Sequence, residues 1–319
     1  MSAPLDAEPL DAEPLGARQR SSDAWVAVQF TLAGVVWGAS FLFIALALEG
    51  LSPVQVATGR TLFGAITLGL IALVTRDRLP QWGRLWGHLV LLSVTFAVIP
   101  YMLFAWAQQF VASGVASILN ATTPIMTALI AGLAFRVEKL TREQVLGIAV
   151  GLVGVIVIIG PWQGFEPGAG GIAPYLALLG ATACYGFSLS YMRRFLSDTG
   201  LSAIMISFIM IGLAAVWMLL LTPLIGADPV QLTPTVVIAI VLLGALGTGL
   251  AYAWNQNVIR AWGPTRAATV TYISPPVGVL FGVLILGEIL VWNEPVGAAL
   301  VILGVLLAQR RVRLPGRRR

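Results

Sequence analysis

The sequence predicts an all-α membrane protein that crosses the bilayer many times, and three observations support this fold class. Of its 319 residues, 58% are hydrophobic and only 10% are charged, whereas a soluble domain carries about 25% charged residues. The mean hydropathy is +0.90. Apolar runs of about 20 residues follow one another without strand-like alternation, which favours helices over a β-barrel.

Ten apolar runs account for most of the chain. A helix that spans the hydrocarbon core needs about 20 residues, so the tenth run, which is shorter, has to extend into its flanks. The third and fourth runs touch, and the boundary between them is predicted near Ser113 because an internal repeat requires it. The runs are 24–48, 53–75, 85–110, 111–135, 144–160, 172–191, 201–225, 234–258, 266–286 and 295–307.

The two ends of the chain are polar. Residues 1–23 contain the unit Leu-Asp-Ala-Glu-Pro twice in tandem, which predicts a disordered cytoplasmic tail rather than a signal peptide. Residues 310–319 are rich in arginine and predict a basic cytoplasmic tail, which either contacts anionic lipid or anchors the topology.

The basic residues alternate from loop to loop. Of the 19 lysine and arginine residues, all except Arg60 lie in the two tails or in every second loop, and the five intervening loops have none. Because basic loops resist translocation, this pattern predicts ten spans with both termini in the cytoplasm.

The two halves of the chain share short motifs at nearly constant spacing. A five-helix unit has an odd number of spans, so a second copy enters the membrane from the opposite side, as in many secondary transporters. We therefore predict two inverted five-helix repeats, at residues 24–160 and 172–309. The matched residues are Trp37 with Tyr185, Trp106 with Trp254, Gln108 with Gln256, Pro124 with Pro275, and Glu138 with Glu288.

Several motifs also resemble a known family. They include Gly34-x-x-Trp37-Gly38-x-x-Phe41, Arg60 followed by small and apolar residues, Pro124 in a run of small residues, and Glu138 nine residues before Gly147. Over about residues 25–309 the chain is similar to EamA-type members of the drug/metabolite transporter superfamily, in particular the aromatic or broad-range amino-acid exporters. The resemblance implies ten helices around a central cavity and export of amino acids or other small metabolites. The second half has no counterpart of Arg60.

Proline interrupts an apolar run in each half and suggests where a substrate binds. Proline removes a backbone N–H and leaves a carbonyl without its donor, and such breaks are tolerated where they line protein or water. The alternative is that the nearby hydroxyl groups bond to their own backbone. With the large aromatic residues near the same depth, the predicted substrate-binding residues are Trp37, Tyr101, Asn120, Thr123, Pro124, Tyr185, Ser188, Tyr272, Ser274 and Pro275.

Other polar or aromatic residues are candidates for gating or for a structural role rather than for substrate binding. Trp106, Gln108, Trp254 and Gln256 are candidates for gating, or belong to interfacial belts and solvated helix ends. For Arg60 we favour snorkelling or a bond to neighbouring carbonyls over attraction of a substrate carboxylate.

The predicted activity is secondary transport. With one cysteine, one histidine and no paired acids within the runs, the sequence favours a transporter over an integral-membrane enzyme, and we predict no metal ion, cofactor or nucleic-acid partner. The partners are a small-molecule substrate and the bilayer, while monomer and homodimer stay equally open. An exporter of lipophilic cations or drugs is the alternative.

Acidic residues are missing from the middle of the runs. Because proton-coupled pumps usually carry a membrane carboxylate, we predict a facilitator or exchanger that works by alternating access. The predicted location is the bacterial inner membrane, with multiple passes.

Overall fold

The computed structural model describes residues 15–135, 140–163, 170–196 and 199–309, and its regular elements there are all helical. We number ten long helices in chain order. They are α1 (Leu15–Leu48), α2 (Pro53–Val74), α3 (Arg84–Ala107), α4 (Ser113–Leu133), α5 (Arg142–Ile159), α6 (Ala173–Phe195), α7 (Ala203–Ile225), α8 (Pro234–Trp262), α9 (Ala268–Leu286) and α10 (Asn293–Ala308).

Eight of these helices are long and apolar enough to cross a membrane. The exceptions are α6, which has 23 residues but is more polar, and α10, which has 16 residues. The predicted class of all-helical, polytopic membrane protein is therefore confirmed.

Helix boundaries agree with the apolar runs except at the N-terminus. Helix α4 begins at Ser113, as predicted. Helix α1 begins at Leu15, although the sequence places a disordered tail as far as residue 23. Its first residues include alanine, arginine and glutamine, which are good helix formers, so the helix extends beyond its apolar part. Residues 1–14, Glu138 and the tail 310–319 lie outside the described residues.

Four helices are interrupted. A π-helical segment lies within α3 at Ser93–Val98 and another within α8 at Leu243–Leu250. Helix α4 breaks after Asn120 and resumes at Thr123, while α9 starts as a 3₁₀ segment, Ala268–Tyr272, and becomes α-helical at Ser274. The prolines predicted the breaks in α4 and α9, but the π segments were not predicted.

The two halves, α1–α5 and α6–α10, pack mainly against each other. Helix α5 packs on α10, α2 on α7, and α4 on α9. The contacts of α1 with α8 and α9 correspond to those of α6 with α3 and α4, and the contact of α2 with α8 corresponds to that of α7 with α3. These contacts are therefore reproduced when each helix is replaced by its counterpart in the other half, for example α1 by α6 and α2 by α7.

Helices α5 and α10 meet through their glycines. A Cβ atom added at Gly147 would lie 2.5 Å from the Gly304 carbonyl oxygen, and one added at Gly154 would lie 2.8 Å from that of Gly297. The structure uses their glycine faces for contact with each other, which small residues allow in membranes.

The largest apolar core lies where α1, α3, α4 and α6 approach one another. Ile44, Phe104, Leu119 and Leu178 are fully buried there. Because protein interiors are close-packed, this core blocks the path through the bundle at one end.

Candidate functional site

A cavity of about 760 Å³ lies between the two halves, and all ten helices contribute to its lining. At its deep end it is lined by Trp37, Arg60 and Tyr185. The lining then continues to helix ends at Arg193 and Gln309, on the side of the bundle where the basic loops lie. The cavity is therefore a one-sided chamber that begins near the middle of the bundle.

Six aromatic rings form a continuous arc along the wall of this chamber. Consecutive ring centroids are between 5.4 and 6.1 Å apart, with mostly edge-on or tilted geometry, which is the arrangement that aromatic quadrupoles prefer. In order along the arc, the residues are Trp37, Tyr252, Phe96, Tyr185, Phe104 and Phe41. All six line the cavity, so the arc presents a large apolar surface with few polar groups.

Trp37 is fixed by the π segment of α8. Its Nε1–H donates to the Gly247 carbonyl oxygen at 3.1 Å. Gly247 has no side chain to keep α1 away: a Cβ atom there would lie 2.8 Å from Ser40 Oγ. The N–H group of Trp37 is thus hydrogen-bonded within the protein, and its apolar ring lines the cavity.

The two π segments begin at corresponding positions of the two halves, Ser93 and Leu243. The first contains Phe96 of the aromatic arc, and the second contains Gly247 and Thr248. Single π turns inside α-helices are frequent at functional sites because they displace side chains from regular register. Here both lie beside the chamber.

The break in α4 faces the cavity, and Asn120, Thr123, Pro124 and Thr127 line it. Pro124 cannot donate to the carbonyl of Asn120, four residues earlier. The Thr123 hydroxyl donates to that carbonyl instead, at 2.7 Å, and the Thr127 hydroxyl donates to the carbonyl of Thr123. The hydroxyl protons therefore bond to their own backbone, which was the alternative considered from the sequence.

The break in α9 is packed into protein. Ser274 and Pro275 are buried and do not line the cavity, and the Ser274 carbonyl accepts a bond from Ser117 Oγ at 3.1 Å. The Tyr272 hydroxyl donates to Gln309 Oε1. The residues before this break reach the chamber, among them Ala267 and, in the 3₁₀ segment, Thr271.

Two other predicted binding residues lie behind the cavity wall. The Ser188 hydroxyl is fully buried and pairs with that of Thr95 at 2.8 Å. Tyr101 is also buried, and its hydroxyl lies 3.4 Å from that of Tyr252. The chamber is thus lined by five of the ten predicted binding residues: Trp37, Asn120, Thr123, Pro124 and Tyr185.

Arg60 lies in the cavity wall, with only 9% of its surface exposed. Its Nε–H donates to Thr248 Oγ1 at 3.1 Å, and its Cζ lies 3.9 Å from the centroid of the Tyr101 ring. The sequence suggested snorkelling or a bond to backbone carbonyls. The observed partners are a side-chain hydroxyl and an aromatic face instead.

The four gating candidates lie at opposite ends of the bundle. Gln256 lines the cavity. Gln108 lies beyond the closed end, where its side-chain amide is buried and no described residue bonds to it. Trp106 is 37% exposed and contacts Phe110. Trp254 is half-buried and does not line the cavity.

Polar contacts between the halves close the end without basic residues. The Glu288 carboxylate accepts the N–H groups of Ser113 and Gly114, at 2.6 and 3.0 Å, and so caps the N-terminus of α4 from the other half. Gln231 N–H donates to the Gly50 carbonyl at 2.9 Å, and Gln55 Nε2 donates to the Gly226 carbonyl at 2.8 Å.

The sequence did not single out Phe96 and Phe104 as lining residues. They are eight residues apart, a spacing that places side chains on one helix face, and this signal was available. The intervening π segment could not be seen in the sequence, so their depth could not be counted correctly.

The family model described as "EamA-like transporter family" matches the chain twice, over residues 24–160 and 172–309. In overall fold the chain is similar to a solved crystal structure with a TM-score of 0.61 and 17% identity, covering 88% of this chain and 99% of the other.

Three named relatives are similar over most of their length. The "Probable terminal-alkyne amino-acid exporter" of Streptantibioticus cattleyicolor is 28% identical, over 94% of this chain and 96% of the relative. The "Uncharacterized inner membrane transporter YedA" of Escherichia coli is 27% identical, over 86% and 87%. The "Probable amino-acid metabolite efflux pump" of Salmonella typhimurium is 25% identical, over 86% and 92%.

Proposed function

Because this chain belongs to the EamA-like transporter family, we propose that it exports or exchanges amino acids and related small metabolites by alternating access. The protein is a membrane transporter and a multi-pass inner-membrane protein. The names of two relatives, an amino-acid metabolite efflux pump and a terminal-alkyne amino-acid exporter, support the substrate class. Membership in a transporter family also favours transport over membrane-embedded catalysis.

The observation that carries the proposal is the one-sided chamber. Its volume of about 760 Å³ lies within the range of about 300–1,000 Å³ typical of small-molecule sites. It reaches one face of the bundle and stops at a packed core before the other. Alternating access requires a site that is open to one side at a time.

The orientation follows from the charges. The chamber opens at the end that carries the basic loops, which by the positive-inside rule is the cytoplasmic end. Substrate enters from the cytoplasm in this state, as export requires. Both termini then lie in the cytoplasm, and α6 and α10 complete ten spans.

The reciprocal packing of α1–α5 and α6–α10 supports two inverted repeats. Gln108 and Gln256, which occupy the same place in the repeated motif, lie at the closed and open ends respectively. A rocking motion of one half against the other would exchange the environments of these two residues. The π segments and broken helices lie where the halves meet and would absorb the change.

Coupling is proposed to be facilitated diffusion or exchange. No aspartate or glutamate occurs among the described residues that line the chamber. A proton-driven cycle through a cavity carboxylate therefore has no candidate group in that part of the chain.

Transport into or out of proteoliposomes tests the function. Vesicles loaded with L-phenylalanine should exchange it for labelled L-phenylalanine outside, without an imposed pH gradient. Trp37→Ala and Tyr185→Ala should weaken apparent affinity about two- to tenfold, since an aromatic contact contributes about 0.5–1.5 kcal/mol.

Trp25→Ala is the matched control, because Trp25 is 57% exposed and lies outside the chamber. The proposal fails if no amino acid exchanges while the protein stays folded. Flux that occurs only with an imposed pH gradient would contradict facilitated diffusion or exchange.

A further inference from the structure

A buried cation with incomplete pairing lies at the deep end of the chamber. Arg60 is nine-tenths buried and lines the cavity, yet the described residues supply no carboxylate partner within ion-pairing distance. Burying a charge is costly unless it is paired and hydrogen-bonded. An anionic group from outside these residues would therefore stabilise the buried charge of Arg60.

The contacts of Arg60 fix the guanidinium but use only part of it. Thr248 accepts from Nε, and the Tyr101 ring lies beneath Cζ. No described residue accepts a hydrogen bond from the two terminal nitrogens. The guanidinium is a rigid planar fork whose paired N–H groups match the two oxygens of a carboxylate.

The tight packing of α2 against α8 holds this arrangement in place. A Cβ atom added at Gly244 would lie 2.9 Å from the Arg60 carbonyl oxygen, and one added at Gly64 would lie 2.9 Å from Thr248 Cβ. Because these glycines bring the backbones together, Arg60 and Thr248 are positioned by helices rather than by loops. A site on rigid elements loses little entropy when a ligand binds.

The aromatic arc begins beside this cation. The Tyr101 hydroxyl lies 3.4 Å from the hydroxyl of Tyr252, and Tyr252 is a member of the arc. A molecule with its anionic group at Arg60 would therefore have aromatic faces next to it. The chamber combines one deep positive charge with an apolar wall.

This combination distinguishes among the substrate classes that the sequence left open. A lipophilic cation in the same chamber would face an uncompensated positive charge without an acidic group to offset it, which is unfavourable at low dielectric. A nucleotide would need several cations, whereas the only other arginine in the described lining is Arg193, at the mouth.

We infer that Arg60, oriented by Thr248 and Tyr101, binds the carboxylate of the transported molecule, and that the aromatic arc binds its apolar side chain. The inference rests on the proposed function and gives its substrate class: small carboxylates with an apolar or aromatic group. Asn120, at the break in α4, is an uncharged polar residue of the same chamber lining.

Binding of matched probes to the purified full-length protein tests this inference. The probes are L-phenylalanine, 3-phenylpropionate and phenethylamine, which share the phenyl ring and differ in carboxylate and amine. In the wild type, both carboxylates should bind, and phenethylamine should bind at least about tenfold more weakly, because a hydrogen bond to a charged group is worth about that factor.

Arg60→Gln should abolish the preference for carboxylates, and Arg60→Lys should retain part of it because it keeps the charge but not the fork. Arg260→Gln is the matched control, since Arg260 is exposed and does not line the cavity. If Arg60→Gln does not fold, Thr248→Val supplies the second test: it removes the acceptor for Nε and should weaken carboxylate binding about threefold or more.

Equal binding of phenethylamine and L-phenylalanine to the wild type would overturn the inference. An unchanged carboxylate preference in Arg60→Gln would also overturn it. If that variant still exchanged amino acids, the proposed function would stand without this inference. Carboxylate-selective binding that depends on Arg60, with no amino-acid exchange by any preparation, would instead support the site and contradict the proposed function.

Discussion

The two ends of the bundle contain the same sequence motif in different surroundings. At one end the side-chain amide of Gln108 is buried without a bond to any described residue, while Glu288 caps the start of α4 from the other half. At the other end Gln256 lines an open chamber. Two matched segments of one chain thus occupy a closed and an open environment at the same time.

The two proline breaks also differ in whether they face the open chamber or are packed inside the protein. Around Pro124 the polar groups face the chamber, whereas Ser274 and Pro275 are buried between helices. Thr123 Oγ1 has a partner in the Asn120 carbonyl, but the buried Ser274 Oγ has none among the described residues. The difference suggests that each break alternates between an exposed and a packed arrangement.

The largest expected effect concerns two glycines, in α1 and α6, that pack against the broken helices α9 and α4. A Cβ atom at Gly38 would lie 2.6 Å from the Ser274 carbonyl oxygen, and one at Gly186 would lie 2.8 Å from the Met126 carbonyl carbon. Gly38→Ala and Gly186→Ala should each lower the free energy of unfolding by about 1–3 kcal/mol, because backbone has to move. Thermal unfolding in detergent measures this.

Gly212→Ala is the control for both variants, since a Cβ atom at Gly212 has no neighbour within 4 Å. We expect it to be neutral or slightly stabilising, as alanine is the better helix former. Equal stability of all three variants would mean that the two contacts are not as close as described.

The second expected effect concerns the closed end. Glu288→Gln weakens the cap on Ser113 and Gly114 and should speed amide hydrogen exchange at the start of α4 about tenfold, because a charged acceptor contributes about 1.5 kcal/mol or more. Glu294→Gln is the control, since Glu294 lies in the first turn of α10 and accepts from the N–H of Val291 just before that helix. Unchanged exchange in Glu288→Gln would show that apolar packing alone closes this end.

The smallest effect compares the two breaks directly. Thr123→Val removes the bond to the Asn120 carbonyl and should cost about 0.5–1.5 kcal/mol of unfolding free energy. Ser274→Ala removes a buried hydroxyl that lacks a partner here and should be neutral or stabilising. Thermal unfolding of both variants in the same detergent measures this. Equal losses of unfolding free energy would contradict the difference between the two breaks.

The sequence predicted those parts of the fold that depend on local composition. Apolar length predicted the helices, and Pro124 and Pro275 predicted the breaks, because a missing N–H interrupts a helix wherever it occurs. The repeat also placed Trp37 and Tyr185 at corresponding depths, and both line the chamber.

Features that depend on tertiary packing were not predictable. The π segment at Ser93–Val98 contains no glycine or proline that would mark it, and it packs against α7, a contact that the sequence does not reveal. The partners of Arg60, Thr248 and the Tyr101 ring, were also not predictable, because its depth in α2 does not reveal whether it faces lipid, backbone or a chamber. Likewise, nothing in the sequence shows that the Trp37 N–H is used by the Gly247 carbonyl.

The central claim is that the two ends exchange their states during transport. It is tested most directly with two single-cysteine variants, Gln108→Cys and Gln256→Cys, in a Cys184→Ala background, labelled with a thiol reagent during amino-acid exchange. Cycling should increase labelling at position 108 and decrease it at position 256. If labelling at both positions is unchanged, or if both increase together, the protein does not work by alternating access between these two ends.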